Sequence, residues 1–239
     1  MDIPHYKLAN KEQLKSRHGP MFPKTIFCVI AGATGSGKTN LIVHLLTTPS
    51  LLDYSDVYIY APTLYQDSYE YLKNYYNHIE QTLKELFKTP LKIVNFFEGP
   101  EEIKDPKNLD PNQRHIMIFD DVMNADQTVI KDYFCRGRHN NVNVFYLCQS
   151  LHKIQKHCIR ENTNVFVLFH QDDKTLKYFY ETHISGDMEF KEFKELCNKA
   201  WSRKYGFIVI NLWEEPYCGR YLINYGEIYT PSKYLNNFK

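Results

Sequence analysis

At 239 residues, with Lys plus Arg (29) nearly balancing Asp plus Glu (28) for a formal net charge of +1, the chain suits one generous α/β domain with a sizeable core and leaves no room for two full motor lobes. The charge balance excludes a global positive field, so contact with nucleic acid would have to use local patches or a composite surface. Six scattered cysteines without zinc-type or thiol-exchange spacing, no apolar run near the roughly 20 residues a bilayer span needs, and a polar start imply a soluble intracellular chain with reduced core thiols, no membrane span and no secretory signal.

Residues 1–24, punctuated by Pro4, Pro20 and Pro23, read as an irregular lead-in. Residues 25–239 are expected to form a single domain, with a core over 25–182 and a C-terminal extension over 183–239. Strand candidates follow at 26–31 (IFCVIA), 57–60 (VYIY), 91–96 (LKIVNF), 116–119 (IMIF), 142–147 (VNVFYL) and 165–169 (VFVLF). Several are apolar nearly throughout, the pattern of parallel strands covered by helices on both faces. Helical spacing occupies residues 38–46, 68–76, 78–87, 125–134 and 153–160, so strand and helix alternate as in a doubly wound fold. Two further helices are predicted at 174–182 and 189–201. Residues 205–213 and 220–229 then read as two antiparallel edge strands joined across Glu215-Pro216, with packing against the sheet edge as their expected role.

Gly32-Ala33-Thr34-Gly35-Ser36-Gly37-Lys38-Thr39, followed by Asn40, fits G-x-x-x-x-G-K-[ST] between an apolar strand and a helical pattern, the context a phosphate-binding loop requires. Its glycines let backbone N–H groups turn toward phosphate oxygens, and the helix N-terminus adds partial positive charge. Lys38 is expected to neutralise the β- and γ-phosphates of ATP, and the Thr39 hydroxyl to ligate Mg2+. The apolar run 115–119 ends in Asp120 and Asp121. Asp120 is placed to hold the metal and Asp121 to polarise an attacking water; two aspartates at a loop entrance also suit helix capping, and the phosphate loop favours the first reading.

No N/T-K-x-D element for reading guanine occurs, since Asn10-Lys11-Glu12-Gln13 and Asn198-Lys199-Ala200-Trp201 both lack the aspartate. No arginine-rich lid of the small-molecule kinase type stands out. Gln149 lies just past the apolar run 142–147, where ligands collect in open α/β sheets. An amide there can donate to a γ-phosphate and accept from the attacking water, and so sense an intact triphosphate. The alternative is an exposed polar residue starting a loop.

Taken together, GATGSGKT, IMIFDD and RHNNVNVFYLCQS resemble the FtsK/HerA superfamily of DNA-pumping ATPases, and more closely the genome-packaging ATPases of poxviruses, other large DNA viruses, virophages and polinton-type elements, over roughly residues 22–180. That resemblance implies a P-loop NTPase fold of the RecA-like, ASCE type, with a mainly parallel sheet, flanking helices and extra C-terminal edge strands. It also implies that the glutamine-ended strand lies between the phosphate-loop strand and the acidic strand. The implied activity is hydrolysis of ATP with Mg2+ by a homo-oligomeric ring that drives double-stranded DNA, whatever its sequence, into a preformed capsid through a capsid or portal-vertex protein. The implied place is the host cytoplasm, the viral factory or the virion. A cellular or plasmid translocase, a small-molecule kinase and a nonhydrolytic assembly module are the competing readings.

Arg136 and Arg138 precede their strand, on the order of 20 Å from a nucleotide at its far end. They anchor structure, touch DNA phosphates or reach a neighbouring subunit's nucleotide, with Arg138 and then Arg160 the preferred catalytic fingers. In cellular members of the superfamily an arginine is expected near the start of the next strand, where this chain has Asn164-Val165-Phe166. A helix over 153–160 would gather Lys153, Lys156, His157 and Arg160 on one face, either a patch for duplex phosphates or an ordinary solvated surface.

Overall fold

A computed structural model of the chain describes residues 18–88, 91–99, 102–154 and 157–235; most of the predicted lead-in lies outside them. The described residues form one nine-stranded sheet ordered β3-β2-β4-β5-β1-β6-β7-β8-β9. Its parallel part comprises β1 (Phe27–Ala31), β2 (Asp56–Tyr60), β3 (Val94–Phe97), β4 (His115–Asp120), β5 (Val142–Cys148) and β6 (Val165–Leu168). Beyond β6 the direction reverses: β7 (Ile208–Asn211), β8 (Tyr221–Ile223) and β9 (Glu227–Tyr229) extend the sheet antiparallel, three strands where the sequence suggests two.

The near-continuous apolar runs have the expected cause. In β1, Phe27, Val29 and Ala31 enter one core while Cys28 and Ile30 enter the other, so the strand is covered on both faces. Two buried amides complete its N-terminal edge: Asn143 Oδ1 accepts from Ile26 N (2.8 Å), and Asn164 Oδ1 accepts from Phe27 N (2.8 Å) while its Nδ2 donates to Thr25 O (2.7 Å). Asn164, where an arginine was expected by analogy, thus pairs backbone groups that burial would otherwise leave unsatisfied.

The helices are α1 (Lys38–Thr47), α2 (Asp67–Phe87), α3 (Gln127–Arg136), α4 (Asp173–His183), α5 (Phe190–Trp201) and the short α6 (Ser232–Leu235). The two helices predicted at 68–76 and 78–87 are one: Tyr69, Leu72, Tyr76 and Glu80 fall on a single buried face that passes Asn77 in phase. Buried Glu80 ties this helix to β3, accepting from Ile93 N at 2.6 Å and Val94 N at 3.3 Å.

None of the described residues of the helix predicted over 153–160 lies in an α-helix. The described residues around it make short 3-10 turns, Leu151–Lys153 and Arg160–Asn162. Leu151, Ile154 and Ile159 are all buried. Of the cationic face expected there, His157 and Arg160 do not share one exposed surface. Lys156 and the side chain of Lys153 lie outside the described residues, exposed His157 lies 3.5 Å from Glu161, and Arg160 turns inward.

Candidate active site

β1 delivers the phosphate loop at the carboxyl end of the sheet, with β5 beside it and β4 next along, so Gln149 emerges between the loop and the aspartates. Close packing and backbone sign explain the glycines. A Cβ on Gly32 would lie 2.7 Å from both Phe169 Cβ and Ser36 Oγ, and Gly37 opens α1 at φ 105°, a conformation that L side chains avoid. Lys38 curls over the loop, Nζ donating to Gly32 O at 2.8 Å and Ala33 O at 3.0 Å. Burial pulls its pKa down, opposed by the negative charge of Asp120 and Asp121 and by Cys148. The buried Ser36 Oγ has no hydrogen-bond partner among the described residues.

Across the cleft, Thr39 Oγ1 donates to Asp120 Oδ2 at 2.9 Å, and the hydroxyl of buried Tyr69 donates to the same oxygen at 2.6 Å. Burial raises the pKa of Asp120; the Tyr69 and Thr39 hydrogen bonds and the Lys38 charge oppose that rise, and Asp121 adds to it. Asp121 diverges from its neighbour because its backbone turns to φ 54°, which carries its side chain out to the exposed rim. There Gln149 Nε2 donates to Asp121 Oδ1 at 3.1 Å. Seven predicted residues, Thr34, Gly35, Lys38, Thr39, Asp120, Asp121 and Gln149, line one cleft.

The donor set fits a hard divalent cation of the magnesium kind. A hydroxyl and a carboxylate lie within one hydrogen bond of each other, leaving phosphate and water to complete the coordination shell, and no all-protein cluster of His, Cys, Asp and Glu is present among the described residues. Asn40 faces the adjoining part of the cleft, and its Oδ1 accepts from Ser68 Oγ at 2.6 Å.

The arginines are elsewhere. Exposed Arg136 lies 3.7 Å from Asp132. Exposed Arg138 sits near the start of β5, its guanidinium 5.1 Å from the Trp213 ring centroid and 5.8 Å from that of Phe27. Half-buried Arg160 donates to Tyr178 Oη and stacks over the same ring at 5.4 Å.

Sequence reasoning missed Tyr69 and Gln66. Tyr69 reaches Asp120 because α2 packs beside α1, and Gln66, the residue before α2, borders the cleft. Neither belongs to a motif; the apolar face beginning at Tyr69 was the available signal, and it pointed to core packing.

This sheet order, with the loop after β1, an acid at the end of β4 and an amide at the end of the intervening β5, defines a P-loop NTPase. The family model described as Poxvirus A32 protein matches residues 20–210, and the chain belongs to that family. Among solved structures it is similar to the genome packaging NTPase B204 from Sulfolobus turreted icosahedral virus 2 in complex with sulfate, with 13% identity, a TM-score of 0.53 and coverage of 87% of this chain and 98% of that one. The DNA-packaging ATPase B204 from Sulfolobus turreted icosahedral virus is similar at 14% identity and a TM-score of 0.53, over 84% of this chain and 97% of that one. The Sulfolobus turreted icosahedral virus 2 protein in complex with ATP-gammaS gives 12% identity and a TM-score of 0.50, over 86% and 98%. No curated protein matches the sequence significantly. Among the described residues no helix is long and apolar enough to cross a membrane.

Proposed function

We infer that this chain is an ATPase that packages viral double-stranded DNA, acting as one subunit of a ring at the capsid vertex. The observation that carries the reading is the hydrogen bond from Gln149 to Asp121 across a cleft that also holds Lys38, Thr39 and Asp120. Family membership and the likeness to viral packaging enzymes support it.

In this reading the loop amides of residues 32–40 surround the phosphates and Lys38 neutralises the β- and γ-oxygens. Thr39 and Asp120 hold Mg2+, which when bound would offset charge developing on the phosphate oxygens. Tyr69 orients the Asp120 carboxylate. Asp121 accepts a proton from the attacking water, and the Gln149 amide exchanges its bond to Asp121 for one to the γ-phosphate, so its position reports whether the triphosphate is intact. The setting would be the host cytoplasm, the viral factory or the virion.

Phosphate release from ATP should accelerate several-fold on adding duplex DNA of any sequence, with stimulation that falls as salt rises. Transfer to a small-molecule acceptor would indicate a kinase instead, and ATP that binds and stays intact for hours would indicate an assembly module.

Arg138, exposed and distant from its own cleft, is the better candidate for reaching a neighbour's nucleotide, because Arg160 is engaged within its own chain. Arg138→Ala is expected to lower turnover of the assembled ring while leaving the isolated subunit's ATP affinity unchanged, as titration calorimetry would show. Lost affinity in the subunit itself would remove Arg138 from that role.

A further inference from the structure

The phosphate cleft does not end at the loop. Through Gly35, Lys38, Thr39 and Gln66 it opens into a polar section bounded by Asn40 and Ser68, and through Gly37, Asn40 and Tyr205 into an aromatic section walled by Phe169, Phe207 and Tyr225. The lining thus changes from carboxylates and an amine, to hydroxyls and amides, to aromatic rings. A nucleotide has the same order of chemistry from γ-phosphate through ribose to base. A nucleotide bound in that order, with Asp121 and Gln149 at the hydrolytic end, would place its base toward Gly37 and Tyr205.

Two features single out Tyr205. The residue is 54% exposed, yet its ring rests against the last glycine of the loop: a Cβ on Gly37 would lie 3.4 Å from Tyr205 Cδ1. Its backbone adopts φ 63°, in the left-handed region, which is strained for a bulky residue and is held only where the surroundings impose it. Those surroundings are identifiable. Gly206 N donates to Arg203 O at 2.9 Å, and a Cβ on Gly206 would come within 2.0 Å of Ala200 O, so the turn after α5 is pressed against the helix end. Tyr225, 46% exposed, lines the same section and is held by edge contacts to Phe207 (5.2 Å) and His44 (4.9 Å).

We propose that Tyr205, with Tyr225 flanking it, is the stacking surface for the nucleobase of the bound nucleotide, so that the β7–β9 extension completes the ATP site. The proposal rests on the reading of the cleft as an ATP site and adds the residues that hold the base. Ring stacking contributes about 1–3 kcal/mol per base by alanine substitution, which corresponds to a change in affinity of about 5- to 150-fold.

The test uses the full chain, with ATP and inorganic tripolyphosphate as probes in titration calorimetry. Tyr205→Ala is expected to weaken ATP binding by about 5- to 150-fold while tripolyphosphate affinity stays within about twofold; Tyr205→Phe, which keeps the ring, should bind both normally. Tyr205→Gly relieves the left-handed strain and guards against misfolding: it should show an unchanged or higher melting temperature together with the same selective loss for ATP. Unchanged ATP affinity in the alanine and glycine variants would overturn the proposal. Equal loss for both probes would also overturn it, assigning Tyr205 to shaping the loop. If the wild-type chain binds tripolyphosphate but gains nothing from the nucleoside, stacking is refuted while the phosphate site stands; binding of neither probe refutes the ATP-site reading itself.

Discussion

Lys38→Ala is expected to reduce ATP turnover by about a thousandfold or more while the domain remains folded. Lys38 is the one cation among the described residues that line the phosphate cleft, and it shares that cleft with two carboxylates. Without the amine, a triphosphate entering beside Asp120 and Asp121 meets uncompensated negative charge at close range, in a partly buried setting where screening is weak. The fold has little at stake, because the Nζ contacts are to carbonyls of the loop itself rather than to distant elements. An unchanged melting curve beside lost phosphate release is therefore the expected pair of measurements. Near-normal turnover would defeat the proposed function.

Asp121→Asn should separate binding from chemistry. Turnover is expected to fall by about 10²- to 10⁴-fold, the range for loss of a positioned base, while ATP affinity changes little or rises. The variant is chosen for its backbone as well as its shape: Asp121 sits at φ 54°, and asparagine is among the few residues that tolerate the left-handed region. Its amide oxygen can still accept from Gln149, so the rim geometry survives while the proton acceptor is lost. Single-turnover hydrolysis combined with equilibrium nucleotide binding checks both halves. A parallel loss of affinity would show that residue 121 organises the site rather than acting in the chemical step.

The convergence of distant segments was legible because each rests on a local rule. A glycine-rich turn between strand and helix, an apolar run ending in acids and another ending in an amide are all readable from neighbours in the chain, and the resemblance supplied their lateral order. The order β4-β5-β1 carries that expectation through. What failed at 153–160 was a periodic argument applied to charges: Lys153, Lys156, His157 and Arg160 have helical spacing, yet the described residues of the stretch make turns, with Ile154 and Ile159 buried. Apolar burial outweighs the weak preference of solvated cations, and in the described turns Leu151, Ile154 and Ile159 are buried.

By itself the sequence determined the alternation of strand and helix, the phosphate loop and the acids that face it, because these depend on backbone conformation and apolar patterning within short windows. Tertiary structure alone decided that Tyr69 reaches Asp120, that Asn143 and Asn164 complete β1, and that Tyr205 rests on Gly37. Each of those contacts joins residues dozens to more than a hundred positions apart, and it forms only after helices and strands have packed, when the closeness of two side chains is set by the sheet's lateral order and the direction of each chain turn rather than by local preference.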